Sequence, residues 1–101
     1  MKICVYAITK NESNNLEKWL DSMSEADYIV VLDTGSTDNT LELLKNDSRV
    51  TKVEQKIIDP WRFDVARNES LKLVPEDTDI YVCTDPDEYF EPGWAKVLRD
   101  Y

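Results

Sequence analysis

Tyr28-Ile29-Val30-Val31-Leu32-Asp33-Thr34-Gly35-Ser36-Thr37-Asp38 is the stretch that decides the fold. The unbroken apolar run Tyr28–Leu32 reads as a strand buried on both faces, as strands are in a parallel sheet covered by helices on each side. Gly35 permits a tight turn directly after it. Ser36, Thr37 and Asp38 then supply oxygens that can satisfy the free N–H groups of a helix start. A capped strand-to-helix turn explains these three residues well. It does not explain Asp33, an acid placed where the strand emerges.

On either side of this stretch, strand and helix alternate. Lys2–Ile8 reads as a first strand. Ser13 or Asn14 can cap a helix that puts Leu16, Trp19, Leu20 and Met23 on one face. Asp38 is expected to cap a second helix through Leu41 and Leu44. Val50–Gln55 alternates in polarity and reads as a more exposed edge strand. A third helix runs from Phe63 to about Val74 and is closed by Pro75. Asp79-Ile80-Tyr81-Val82, reaching Cys83, reads as a short buried strand. Pro92 fits the first turn of a last helix with Trp94, Val97, Leu98 and Tyr101 at helical spacing. This alternation predicts an α/β fold, three layers deep, with a mainly parallel sheet.

The 101 residues suffice for a single domain with one core. Apolar content of 42% and charged content of 33% are those of a globular chain. No apolar run approaches the ~20 residues of a membrane helix, and no secretory h-region follows the Met-Lys start; cytoplasmic residence is the expectation. Cys4 and Cys83 both lie in apolar runs, which suits buried thiols. Net charge is −9, so nucleic acid and anionic membranes are poor partners. The absence of histidine excludes His-based triads, His general bases and His-ligated zinc. With only Gly35 and Gly93, no G-x-G-x-x-G or Walker loop can form. Phosphates would need a cation, basic side chains or helix N-termini.

Ligands of such sheets bind outside the carboxyl ends of the strands, and the polar residues cluster there. Ile8 and Thr9 backbone groups could read a base edge, and Glu12 could accept from a ribose hydroxyl. Asp33 can accept from the N3–H of a uracil or from another base donor. Arg67, in Trp61-Arg62-Phe63-Asp64-Val65-Ala66-Arg67-Asn68, could cross toward these acids as counter-ion to Asp33 or to base carbonyls, or form a surface ion pair; Trp61, Phe63 and Ala66 are expected in the core. Asp85-Pro86-Asp87-Glu88, taken alone, reads as an acidic solvated turn; two carboxylates one residue apart can also share one hard cation, Mg²⁺ or Mn²⁺. Pro86 fixes the backbone between them. Asp87 is the expected direct ligand, Asp85 the ribose or water-mediated metal contact, and Glu88 a structural residue of the turn.

Four motifs in order, ITKNESNNLEKWLDS, VVLDTGSTDNT, FDVARNESL and DPDEYFEPGW, resemble the first half of a family-two glycosyltransferase with the GT-A fold. They are most similar to bacterial enzymes that extend lipopolysaccharide cores or other surface glycans. The resemblance covers Ile3 to Trp94. It implies a Rossmann-like GT-A domain, truncated here, with residues 1–101 as one nucleotide-sugar-binding half. It also implies inverting transfer from an NDP-sugar, UDP-sugar foremost, to a hydroxyl of a glycan or lipid-linked acceptor, assisted by Mn²⁺ or Mg²⁺. The implied nucleotide contacts are Ile8, Thr9, Glu12, Asp33, Asp38, Arg67 and Asp85, and the implied metal ligands are Asp87 and Asp85. The family commonly has alanine where Pro86 stands. Its catalytic base and acceptor contacts lie in a second half, so this stretch alone is expected to bind nucleotide weakly, if at all, and to transfer no sugar. Trp94, Val97, Leu98 and Tyr101 are expected to be covered by that half or by a second copy.

Three other readings compete. A sugar-nucleotide pyrophosphorylase needs a Gly-rich loop after the first strand, where Thr9-Lys10-Asn11-Glu12 stands instead. A haloacid-dehalogenase-type phosphatase needs Thr or Val two residues after D-x-D, where this chain has Tyr89. A non-catalytic interaction or assembly module of the same fold is the alternative if the chain is complete at Tyr101.

Overall fold

The computed structural model describes residues 1–100. Its elements alternate: β1 (Ile3–Thr9), α1 (Leu16–Met23), β2 (Tyr28–Asp33), α2 (Thr40–Asn46), β3 (Lys52–Gln55), α3 (Phe63–Leu71), β4 (Ile80–Cys83) and α4 (Trp94–Asp100). The strands form one parallel sheet in the order β3-β2-β1-β4. Parallel pairing follows from the crossover helices, which return the chain to the same sheet end each time.

The two-residue period of the strands divides the core in two. Val5, Ala7, Ile29 and Val31 point to the face covered by Leu16, Trp19, Leu20 and Met23 of α1 and Leu44 of α2, with Trp94 of α4 packed at its margin. Cys4, Val30 and Leu32 point to the opposite face, where Ala66 of α3 and Leu73 cover them. Burial pushes the Cys4 thiol up to about 12, so it stays protonated and inert. The α/β three-layer architecture expected from the alternation is the one observed.

Several local expectations change. Asn15, not Ser13 or Asn14, stands at the α1 N-cap position and caps nothing with its side chain; its amide instead donates to Glu12 (2.7 Å). Asn39 occupies the α2 N-cap position, one residue after Asp38. Helix α3 ends at Leu71 rather than near Val74, with the rest of the segment in turns. β4 is an edge strand, so Tyr81 and Cys83 are exposed rather than buried. Ala66 is buried as expected, but Trp61 and Phe63 are each 55% exposed. Trp94 is tied back to α1, its indole N–H donating to the Ser22 carbonyl (2.8 Å) and its ring meeting Phe90 edge-on. On the same helix Val97 is exposed and Leu98 half-buried; Tyr101 lies outside the described residues. Among the described residues, no helix is long and apolar enough to cross a membrane.

Candidate functional site

The carboxyl ends of β1 and β2 are level, because Thr9 pairs with Asp33. The loops beyond them are stapled together by Asn11. Its φ of 55° lies in the left-handed region, which asparagine tolerates better than most residues. From that conformation its backbone N–H donates to Ser36 Oγ (2.9 Å), and its Oδ1 accepts from the backbone N–H groups of Thr37 (2.8 Å) and Asp38 (3.3 Å). A second link runs from the Glu12 N–H to Thr40 Oγ1 (3.0 Å), and from that hydroxyl to Asp38 Oδ1 (2.5 Å). Asp38 also accepts from the Thr40 backbone N–H (3.0 Å), so it does serve the start of α2. The Thr40 hydroxyl comes first among the causes that hold the Asp38 carboxyl below its usual range.

Asp33 is fully buried and turned into its own loop. Its Oδ1 accepts from the N–H groups of Gly35 and Ser36 (both 2.8 Å) and from Gln55 Nε2 (3.2 Å), while Oδ2 accepts from Ser36 Oγ (2.6 Å). Burial alone would raise its pKa; the donors from Ser36, Gly35 and Gln55 outweigh that and hold it below the usual carboxylate range. The structure therefore gives Asp33 the task of holding the turn. Gly35, at φ 121°, adopts a backbone conformation that a side chain would strain, and Ile57 packs beside it.

A groove of ≈ 650 Å³ opens above these ends, within the size range of small-molecule sites. Ile8, Thr9, Lys10, Glu12 and Thr34 form one side, the loop after β3 contributes Ile57, Asp59 and Trp61, Phe63 follows at the start of α3, and Asp85 enters from beyond β4. Of the residues expected at a nucleotide, the groove brings together Ile8, Thr9, Glu12 and Asp85. Asp33, Asp38, Arg67 and Asp87 do not line it. The Thr9 hydroxyl is buried and makes no hydrogen bond among the described residues, although the residue lines the groove. Trp61 and Phe63 are the groove residues that the sequence reading assigned to the core. Trp61 stands ahead of α3 and Phe63 opens it, positions that in sequence fit a core and a groove wall alike.

The 85–88 turn is closed by Glu88. Its N–H donates to the Asp85 carbonyl (2.9 Å) and its Oε1 accepts from the Asp85 N–H (2.8 Å). Pro86 is buried within the turn, which thus accommodates the ring. Desolvation first, then the charges of Glu88 and Asp87, raise the Asp85 pKa, with Glu12 adding to the effect and Arg67 opposing it. Arg67 does not reach Asp33. Its guanidinium lies over the Phe63 ring, 4.6 Å from the centroid, and its charge acts on Asp85 instead. Its Nε is buried without a hydrogen-bond partner among the described residues. No group of three or more His, Cys, Asp or Glu side chains among the described residues could by itself hold a metal ion. The crowded carboxylates of Asp85 and Asp87 still suit a hard cation that takes its other ligands from water and phosphate oxygens, as Mg²⁺ does.

A second groove, ≈ 660 Å³, runs between β4 and α4 and is lined largely by apolar residues such as Tyr81, Phe90, Trp94 and Val97. The two grooves are equal in size, so volume does not separate them. The strand-end groove is lined by four charged residues, Lys10, Glu12, Asp59 and Asp85, where the other has Glu91 alone.

The chain matches the glycosyl transferase family 2 model over residues 4–101, and it belongs to that family. No curated protein matches it. Among solved structures, S. aureus TarS 1–349 is 25% identical with a TM-score of 0.82, the likeness covering 99% of this chain and 32% of that one. The same protein in complex with UDP-GlcNAc is 24% identical with a TM-score of 0.79, covering 99% and 30%. The chain thus spans about a third of the length of the TarS 1–349 structure. The GT-A type of fold expected for residues 1–101 is supported by these likenesses.

Proposed function

We propose that this chain is the nucleotide-sugar-binding part of a glycosyltransferase that moves a sugar from an NDP-sugar, UDP-sugar foremost, to an acceptor hydroxyl with inversion. The observation that carries the reading is the groove at the carboxyl ends of the parallel strands, with the Asp85–Asp87 turn at its margin. TarS, of similar fold, has been solved with UDP-GlcNAc, which makes uridine nucleotides the first donors to test.

In this reading Ile8, Thr9 and Glu12 meet the nucleoside, and Asp33 and Asp38 hold the loops that present them. Asp87 is the direct metal ligand, and Asp85 contacts the metal through water or the ribose. Arg67 balances the charge of Asp85 and of the incoming diphosphate. Bound Mg²⁺ or Mn²⁺ would neutralise charge on the diphosphate leaving group. The acceptor, glycan or lipid-linked, and the general base that takes its proton are supplied from outside residues 1–101, so this chain alone transfers no sugar. The same reading has the β4–α4 groove covered by further chain or by a second copy.

The test is a calorimetric titration of the chain with UDP, with and without Mn²⁺, beside an Asp87→Ala variant. Metal-dependent heat in the wild type that disappears in the variant is expected. A folded wild-type chain that binds no UDP at any Mn²⁺ concentration would sink the donor-site reading and leave a non-catalytic interaction module.

A further inference from the structure

Trp61 has more than half of its surface exposed, in a chain whose other two tryptophans behave differently: Trp19 is fully buried and Trp94 is half-buried, with its indole N–H bonded to Ser22. An indole is among the largest apolar surfaces a residue can leave in water, and such side chains concentrate where a partner will cover them. Trp61 is not scattered on the surface at large; it lines the strand-end groove. Phe63 lines the same groove and is just as exposed, but one of its faces is occupied by the Arg67 guanidinium. Trp61 has no aromatic or cationic neighbour over its ring among the described residues. It is the free aromatic face of the site.

Ile8 and Thr9, at the carboxyl end of β1, line the same groove. In the donor-site reading, the group that offers a flat π face to an indole and a polar edge to a strand end is the nucleobase. We infer that Trp61 is the base-recognising wall of the groove, stacking on the nucleobase of a nucleoside diphosphate while the carboxyl end of β1 meets the base edge. The inference rests on the donor-site reading above and deepens it. The loop that carries Trp61 has polar contacts at both ends. Lys56 N–H donates to the Asp33 carbonyl (2.8 Å) and its ammonium pairs with Glu69 of α3 (3.1 Å), while Arg62 pairs with Asp64 (2.9 Å) at the start of that helix.

Stacking of a base on an aromatic side chain is worth about 1–3 kcal/mol, or roughly a 5- to 150-fold change in affinity. The experiment measures binding of UDP and of inorganic pyrophosphate, each with saturating Mn²⁺, to the wild-type chain, Trp61→Ala and Trp61→Phe. The expected result is UDP binding weakened about tenfold or more in the alanine variant, largely restored in the phenylalanine variant, and pyrophosphate binding unchanged in both. A merely structural role for Trp61 would weaken pyrophosphate and UDP alike, and that outcome overturns the inference. UDP binding that is equally tight in Trp61→Ala also overturns it, while leaving the donor-site reading intact. Absence of UDP binding by the wild type overturns both.

Discussion

A buried carboxylate is tolerated only where donors surround it, and Asp33 shows how few residues that takes. Gly35, Ser36 and Gln55 give it four hydrogen bonds, and the sum of these outweighs the burial that opposes ionisation. Its folded pKa lies below the unfolded value of about 3.9. The stabilisation from this carboxylate is therefore fully present above that value and is lost as pH falls through the lower, folded pKa. Asp33→Asn should be less stable than wild type at neutral pH, and the gap should narrow as pH drops below about 4. Urea midpoints of both chains at a series of pH values would show this. A gap independent of pH would mean that the charge on Asp33 contributes nothing to the turn. Asp85 has the opposite shift, raised by desolvation and by its acidic neighbours, which is the condition under which a cation gains most from binding.

At the scale of elements, α4 illustrates how a short helix is held by polar contacts as much as by packing. Glu25 accepts from the backbone N–H groups of Gly93 (2.9 Å) and Ala95 (3.3 Å), and Ser22 Oγ accepts from Phe90 N–H (2.7 Å). Trp94 adds its bond to Ser22 and its edge-on contact with Phe90 at 5.3 Å. Fully buried aromatic-to-alanine changes cost about 3–5 kcal/mol; for half-buried Trp94→Ala we expect about 2–3 kcal/mol, read as a lower urea midpoint. A midpoint within error of wild type would show that α4 docks without it. The strands of this fold were legible because periodicity reports burial: Tyr28–Leu32, apolar throughout, became the covered strand β2, and alternating Val50–Gln55 became the edge strand β3. The pattern failed at β4, where Ile80–Cys83 is apolar yet lies at the edge, so Tyr81 and Cys83 stay exposed. An apolar run says that a strand wants cover, not whether this stretch of chain supplies it. The groove's position was legible in outline, since such topology leaves polar residues at the carboxyl ends of the strands. Its lining was misread at Trp61 and Phe63, because an aromatic residue beside a helix start fits a core and a ligand wall equally well in sequence. Arg67 was open in sequence between counter-ion to Asp33 and surface ion pair; its guanidinium lies over the Phe63 ring, and its charge opposes the rise of the Asp85 pKa.

For the molecule as a whole, the formal charge of −9 sets a field that acts differently on the two ligands of the proposed site. A divalent cation is drawn toward such a chain and a nucleoside diphosphate is repelled from it. Salt weakens both effects, since the screening length shortens from about 30 Å at 0.01 M to about 8 Å at 0.15 M. Mn²⁺ affinity, measured alone, should therefore fall across that range of NaCl. UDP affinity at saturating Mn²⁺ should not fall with it, because screening lifts the repulsion of the anion while the metal contact itself is short and little screened. Parallel losses for both ligands would mean that local charges, Lys10 and Arg67 among them, dominate over the net field at the groove. Opposite trends would mean that the net acidic field, rather than local charges, governs how each ligand approaches the groove.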